Sequence, residues 1–452
     1  DIVEKERPMG VVVGVGGQTP NNLALPLARS GVRLLGTSAE SIDTAEDRSK
    51  FSSLLDELGI PQPLWSSAAS LDDARSFARR VGYPVIVRPS YVLSGVAMRV
   101  AHEEPELIDY IKRATRVSPE HPVVISKFIE NAKEVEVDAV SDGEAVVVGA
   151  IIEHIELAGT HSGDAAMVIP PQTLSRGVKT TIEDYATRLA RALRIRGPFN
   201  VQFVVRDDRV YVIELNLRAS RSMPYTSKST GVPLIWLGTK AMLGRKLSEF
   251  GGLVKGPTIA HVSVKAPAFS FIRIKEADPL LGVEMNSTGE VACLDRDFAN
   301  AYIKALVASG LRVPKPGEPV LVTVRDRDKP RAASVAKLLR ALGYPIYATK
   351  GTAKALRMAG VDGVRELAKI GERENVLDYV AGRRVGLVIN TPSYKGGKAI
   401  RDGFVLRRTA TEYMIPTITR IETAEALAEA LNRGDLAMTP YSLNELLGSR
   451  AV

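Results

Sequence analysis

The chain has 452 residues, too many for one core and enough for about three domains. Its hydrophobic content of 45% and charged content of 25% are those of a soluble globular protein, and no apolar run reaches membrane-spanning length. A net charge of +8 admits polyanions, but aromatics make up only 6% and interleave with no basic run, so neither nucleic acid nor membrane is an expected partner. The single cysteine, Cys293, excludes an internal disulfide and a Cys-based zinc site, which fits a reducing, cytoplasmic setting.

In chain order, Val11 to Val15 and Val32 to Leu35 read as short strands, each followed by a helical stretch, the second from Ala39 to Leu58. These are strand–helix units of a parallel sheet. Gly14, Gly16 and Gly17 hint at a dinucleotide fingerprint, but the third glycine is at the wrong offset. Two such units are too few for a doubly wound domain, and Asp1 stands where Met would, so earlier strands are expected to be missing. A helix follows to Val81, with Ser70 as N-cap and Asp72 and Asp73 in its first turn. Tyr83 to Ser90 is a strand carrying Arg88, and it runs into YVLSGVA, pivoting on Gly95. A cation beside a Ser/Gly loop suits a flap over nucleotide phosphates; the alternative is an exposed arginine before a turn.

Pro122 to Ile129, KEVEVDAV and EAVVVGAIIEH are further strands, the last two joined at Asp142-Gly143. Glu134 could face ribose hydroxyls beside an adenine slot, but Glu134, Glu136 and Asp138 alternate with valines and equally describe a wet sheet face. The stretch EHIELAGTHSGDAAMVIPPQ reads as a long irregular loop rich in chemistry, with His154, Glu156, His161, Ser162 and Asp164. A hydrolase triad is disfavoured there, because Ser162 directly follows His161 and has no nucleophile-elbow context.

After an amphipathic helix from Ile182 to Leu193 comes GPFNVQFVVRDDRVYVIELNLRASRSMPYTSK, residues 197–228. Two apolar runs about Asp207-Asp208 read as an antiparallel hairpin. Alternation places Tyr211, Ile213, Leu215 and Leu217 on an apolar face, and Glu214, Asn216 and Arg218 on the other, with Gln202 opposite Glu214. Mg²⁺ takes one or two carboxylates and completes its shell with substrate oxygens, so Glu214 with the amide oxygens of Gln202 and Asn216 suits a metal–nucleotide site. Arg218 and Arg221 lie where planar forks can hold phosphate. An ordinary solvated polar face is the competing reading.

Beyond Lys228 an apolar helical stretch is expected in the core, then strands from His261 to Phe271 and Gly289 to Cys293 and a helix from Asn300 to Ser309. PKPGEP, residues 314–319, is a linker by composition. A compact α/β unit follows, with strands VLVTV, PIYATKGTA and GLVINTP. Polar residues at its strand ends, Thr349, Gly351, Thr352 and Asn390, with Lys329 and Lys369 nearby, suit a phosphate-bearing effector.

YPVIVRPSYVLSGVA (83–97), EHIELAGTHSGD (153–164) and VIELNLRA (212–219) resemble the ATP-grasp signatures of the carbamoyl phosphate synthetase large subunit, in order and over nearly the whole chain. A methylglyoxal-synthase-like domain after them marks the C-terminal half. The resemblance implies an α/β and α+β multidomain fold: a partial, Rossmann-like pre-ATP-grasp domain at 1–45, a carbamate-phosphorylating ATP-grasp domain at 46–312, and an allosteric domain at 313–452. It implies a ligase that uses ATP with Mg²⁺ or Mn²⁺ to phosphorylate carbamate, in pyrimidine and arginine biosynthesis.

By the same resemblance, Gln202, Glu214 and Asn216 are metal ligands, with Glu214, Arg218 and Arg221 catalytic. Arg88, Lys127, Ile129, Glu134, Gly159, Thr160, His161, Ser162, Gln202 and Glu214 contact the nucleotide, and Lys329, Thr349, Thr352, Lys369 and Asn390 a nucleotide-like effector. The implied partners are the N-terminal half of the large subunit and a glutaminase small subunit; a homo-oligomer is left open. The loops at 88–97 and 153–164 are expected to close as lids. Ala266 stands where ornithine-activated members carry glutamate, and Pro392 replaces a threonine, so effector identity stays open. The competing functions are another ATP-grasp ligase, such as a biotin carboxylase relative, and a non-catalytic regulatory fragment.

Overall fold

The computed structural model describes residues 1–88, 98–117, 123–253, 259–274, 276–393, 397–434 and 436–448. Its centre is a seven-stranded antiparallel sheet. Across it the strands run Arg209–Asn216, Arg196–Arg206, Lys133–Asp142, Val146–Leu157, Met167–Ile169, Val262–Ala268 and Gly289–Asp295. The hairpin read from the sequence forms its edge. Asp207 and Asp208 both take left-handed backbone, at φ 50° and 58°, the primed turn that matches strand twist. The register sets Gln202 opposite Glu214, as expected.

One expectation about its faces is corrected. Gln202 pairs with Glu214 but Phe203 with Val212, so Ile213 is an extra, bulged residue. The bulge reverses the alternation before it. Val210 and Val212 are therefore the buried residues, rather than Tyr211 and Ile213, while Leu215 and Leu217 beyond the bulge are buried as expected. This apolar face packs on Ile182, Ala186 and Leu189 of the helix Arg176–Ala192.

A smaller antiparallel sheet, ordered Trp65–Ala68, Val123–Lys127, Val85–Arg88, Arg99–Ala101, forms a lobe with the helices Leu71–Val81 and Glu104–Val117. The first of these starts in a capping box between Ser70 and Asp73. At the N-terminus, Val11–Val12 and Leu34–Leu35 pair in parallel. The single helix expected from Ala39 to Leu58 is two, Ala39–Glu46 and Arg48–Glu57. Asp47 breaks it, because its backbone is extended and its carboxylate caps the amides of Ser49 and Lys50 at 2.9 and 3.0 Å. The long irregular loop expected from residue 153 is also shorter: the strand runs on to Leu157 and buries His154 and Glu156.

The C-terminal unit is a five-stranded parallel sheet ordered Arg365–Leu367, Ile346–Thr349, Val320–Thr323, Leu387–Asn390, Thr417–Ile418. Its second strand stops at Thr349, where the helix Lys350–Met358 begins, four residues earlier than PIYATKGTA suggested. The 314–319 linker separates the two sheets but not their cores. Tyr302 and Ala305 on Phe298–Ala308 and Leu427 on Ile421–Asn432 share one cluster with Val168 and Val264 of the large sheet and Val320 and Ile346 of the small one. Among the described residues no helix is long and apolar enough to cross a membrane.

Candidate active site

Between the small lobe and the large sheet lies a cleft of about 350 Å³. The hairpin, the 158–166 loop, the end of the strand Val85–Arg88 and the break at Asp47 all open onto it.

Glu214 is the electrostatic centre. Its Oε2 accepts from Arg48 Nη2 at 2.7 Å and its Oε1 from Asn216 Nδ2 at 3.1 Å. Burial pushes its carboxyl up, but Arg48, with Arg88 and Arg218, outweighs this and holds it down at about 2. It is therefore ionised at any physiological pH. Arg218 donates to Asn216 Oδ1 and Gln18 Oε1, both at 2.9 Å. Gln18 in turn donates to Glu46 at 2.6 Å, and burial raises the Glu46 carboxyl. The bulge leaves the Ile213 carbonyl free to accept from Arg48 at 2.8 Å and from Arg88 at 3.4 Å. Arg88 Nε is buried with no partner, and burial, followed by the neighbouring Arg48, lowers its pKa to about 10. A guanidinium this desolvated has unspent capacity for an anion.

Gln202 Nε2 donates to Ser162 Oγ at 3.3 Å. His161 is half-buried; its Nδ1 accepts from the Gly163 amide at 3.0 Å, and burial lowers its pKa. Ser162 thus pairs with Gln202, not His161. Asp164 is fully buried and accepts from the amides of Asn286 and Ser287, both at 2.8 Å. These three residues do not form a triad. Thr160 is buried and its hydroxyl lacks a partner. Gly159 holds φ +103°, and a Cβ there would meet the Phe128 ring at 3.2 Å, so the loop needs glycine at this point. Lys127 donates to the carbonyls of Gly82 and Tyr83, both at 2.9 Å, and Ile129 lines the cleft beside it.

Glu134 is 7% exposed. Burial raises its carboxyl to about 7, with His154 opposing and Glu136 and Glu214 assisting. Behind it Glu136 takes His154 Nε2 at 3.2 Å and Asn200 Nδ2 at 3.1 Å, and Asp138 takes Asn200, Ser220 and Thr226. Glu136 and Asp138 are thus a buried, hydrogen-bonded scaffold under the cleft, with Glu134 buried beside them, and the three do not form a wet face.

Every residue expected at the nucleotide and metal, from Arg88 through Ser162 to Gln202, Glu214, Asn216, Arg218 and Arg221, lines this cleft. The loop expected to close after Arg88 lies at 89–97, outside the described residues. Sequence reasoning missed Arg48, Gln18, Glu46 and Lys265. Arg48 was hidden inside a run that read as one uninterrupted helix; the capping Asp47 beside it was the available signal.

At the strand ends of the C-terminal sheet, Asn390 donates to the Thr323 carbonyl at 3.0 Å, and Thr349 and Thr323 hydroxyls lie 3.2 Å apart. Thr352 is buried and accepts from the Val324 amide at 3.4 Å. Lys329 Nζ pairs with Asp326 at 2.6 Å and lies 3.6 Å from where a Gly351 Cβ would stand. Lys369 follows the outer strand Arg365–Leu367 and is exposed; among the described residues no hydrogen bond or ion pair ties its ammonium to the other four. Residues 394–396, beyond the strand Leu387–Asn390, lie outside the described residues.

Three family descriptions match the sequence: the carbamoyl phosphate synthase pre-ATP-grasp domain at residues 1–44, the carbamoyl-phosphate synthase L chain ATP binding domain at 47–250, and an MGS-like domain at 331–419. Among solved structures, the biotin carboxylase domain of Hydrogenobacter thermophilus 2-oxoglutarate carboxylase superposes with a TM-score of 0.56 at 16% identity, over 68% of this chain and 75% of that one. A Campylobacter jejuni biotin carboxylase does so with a TM-score of 0.56 at 18% identity, over 68% and 75%. The fold is that of an ATP-grasp ligase.

The C-terminal section of the carbamoyl phosphate synthase large chain of Methanocaldococcus jannaschii is 48% identical over 98% of this chain and 73% of its own length. That of Aquifex aeolicus is 45% identical over 95% and 82%. The undivided large chain of Methanothermobacter thermautotrophicus is 46% identical over 99% of this chain, which spans 42% of its length. The chain belongs to the carbamoyl phosphate synthase large chain family.

Proposed function

We propose that this chain phosphorylates carbamate with ATP to give carbamoyl phosphate and ADP, as one half of a glutamine-hydrolysing synthetase serving pyrimidine and arginine biosynthesis. The carrying observation is the convergence of Glu214, Asn216, Gln202 and Arg218 on one wall of a cleft that Arg88 and Arg221 also line. We place the pre-ATP-grasp domain at 1–45, the ATP-grasp unit at 46–312 and the effector-binding domain at 313–452.

The donor set fits a magnesium ion: one carboxylate held ionised, two neighbouring amides, and guanidinium groups set for the phosphates. Glu214, Gln202 and Asn216 would hold it, and when bound it supplies positive charge at the phosphate oxygens. Arg88, Arg218 and Arg221 bind and orient the triphosphate, so that a carbamate oxygen meets the γ-phosphorus in line. That oxygen–phosphorus bond forms as the bond to the β-phosphate oxygen breaks, and ADP leaves. The negative charge spreading over the equatorial oxygens is met by groups already fixed in place, with little reorganisation. Glu134 receives the ribose, and Lys127, Ile129 and Thr160 frame the base. Its partners in this reading are an N-terminal half and a glutaminase subunit, which supply carbamate and ammonia. Lys329, Thr349, Thr352 and Asn390 form the effector site, with Lys369 joining when ligand bridges to it.

The MGS-like match at 331–419 and the relatives' names favour this reading over a biotin carboxylase relative. The test is ATP formation from ADP and carbamoyl phosphate, which needs no partner subunit. Mg²⁺-dependent ATP formation is expected; a folded, ADP-binding sample that forms none refutes the assignment.

A further inference from the structure

Lys265 stands on the strand Val262–Ala268 in the floor of the cleft and is only 2% exposed. A buried ammonium has three donors to satisfy, and lysines at this depth are ordinarily paired closely. This one is not. Its best contacts are the Ser162 carbonyl at 3.4 Å and Glu290 Oε2 at 3.6 Å, and that oxygen has no hydrogen-bond partner. The same oxygen lies 3.9 Å from Arg221, so two cations share one carboxylate at long range. Both cations line the cleft, and the carboxylate they share meets each only at long range.

Ser162 fixes where in the cleft this happens. Its carbonyl faces Lys265, while its hydroxyl accepts from Gln202, which stands opposite Glu214. Lys265 is thus one residue removed from the phosphoryl end. Burial disfavours its charged form, but Glu290 and Glu136 support it.

Resting on the proposed reaction, we propose that Lys265, beside the phosphate-facing Arg221, forms the anion subsite that receives the carboxylate of the phosphoryl acceptor. One carbamate oxygen attacks the γ-phosphorus as the bond to ADP breaks; Lys265 holds the other oxygen, which becomes the carbonyl of the product, and no proton moves. The subsite takes a one-carbon carboxylate because Lys265 and Gln202 are both tied to Ser162, leaving one residue's span between acceptor and phosphoryl group.

The experiment is steady-state ATP formation by the whole protein from ADP and carbamoyl phosphate, comparing Lys265→Met, Lys265→Arg and Lys265→Met/Glu290→Gln with wild type. Loss of one charged hydrogen bond predicts a KM for carbamoyl phosphate raised about tenfold or more in Lys265→Met, with the KM for ADP within about twofold. Lys265→Arg, which keeps the charge but moves it, shows a smaller rise in the same constant and serves alone if the methionine variant does not fold. The double variant is not rescued. An unchanged KM for carbamoyl phosphate, an equal rise in both constants, or rescue by Glu290→Gln overturns the inference and leaves Lys265 a counter-ion. An inactive wild type instead refutes the parent reaction, so the two failures are distinct.

Discussion

The cleft and the strand ends of the C-terminal sheet are both polar, yet they are built in opposite ways. In the cleft, charges are buried or half-buried and displaced from their ordinary ionisation: Glu214 held at about 2, Glu134 raised to about 7, Arg88 lowered to about 10. At the strand ends the buried residues of the expected effector set are neutral and partnered, Thr352 by an amide and Asn390 by a carbonyl and by Arg407, a buried cation paired with Asp278. The cation there, Lys329, is paired with an Asp326 that is 95% exposed. Buried, displaced charge marks a place where charge is redistributed in a reaction. A neutral, satisfied rim beside a half-buried cation suits a place where a ligand docks and leaves, which accords with the proposed division between reaction site and effector site.

The largest expected effect tests the catalytic side. Glu214→Ala removes the ionised ligand and leaves Arg48, Arg88 and Arg218 facing one another, so ATP formation should fall about a thousandfold. Single-turnover measurement at saturating Mg²⁺ checks it, and a loss of less than tenfold would put the reaction centre elsewhere. On the regulatory side, Lys329→Ala should weaken binding of a nucleoside monophosphate panel about tenfold, since a phosphate loses one charge-assisted contact. Titration calorimetry reads this directly. Equal binding by both proteins would move the effector away from these strand ends.

Much of the contrast was legible beforehand, and for identifiable reasons. Gln202, Glu214 and Asn216 could be placed together because a two-residue turn at Asp207-Asp208 fixes hairpin register. Burial of Val212 in place of Ile213 could not, since a bulge is set by partners such as Pro61, whose carbonyl accepts from the Val212 amide at 2.9 Å. Arg48 was illegible because its role depends on a helix break and on a carboxylate 166 positions away. Glu136 and Asp138 looked like a wet face, because alternation says which residues share a side and not whether Asn200, Ser220 and Thr226 cover it. Lys369 fitted a pattern of basic residues near strand ends, but neighbouring strands do not bring every such residue into contact.

The displaced carboxyl of Glu134 gives a pH signature. Its folded pKa of about 7 exceeds the ordinary 4.5, so between these values the folded protein binds the proton that the unfolded one has released. Stability is therefore lost as pH rises through that window, with the full contribution present below it. His154, raised by its bond to Glu136 against the effect of burial, acts in the same direction. Glu134→Gln should flatten the fall in Tm between about pH 5 and 7. An unchanged slope in thermal melts would show that Glu134 is ionised in the empty cleft and that the contrast with the strand ends is smaller than drawn.

The smallest effect bears on whether the two regions work independently. Arg407 joins Asn390 Oδ1 at 2.7 Å to Asp278, and along that segment Leu281 donates to Thr419 Oγ1 at 3.5 Å. Arg420 Nη2 then donates to the carbonyls of Leu281 and Gly159 at 3.0 and 2.8 Å, and Gly282 accepts from the His161 amide at 2.6 Å. A side chain of the C-terminal unit thus holds both the segment that contacts its own strand ends and the loop that carries Thr160, His161 and Ser162. Arg420→Ala should raise the KM for ADP about fivefold, the worth of one or two hydrogen bonds to carbonyls, with kcat changed less. Faster amide exchange across 158–163 should accompany it, because Gly159 is held in a left-handed conformation partly by that contact. If the KM and the exchange rates both stay as in wild type, the loop keeps its shape without the Arg420 contact. The shared core around Tyr302 would then be joining two sites that do not communicate through Arg420.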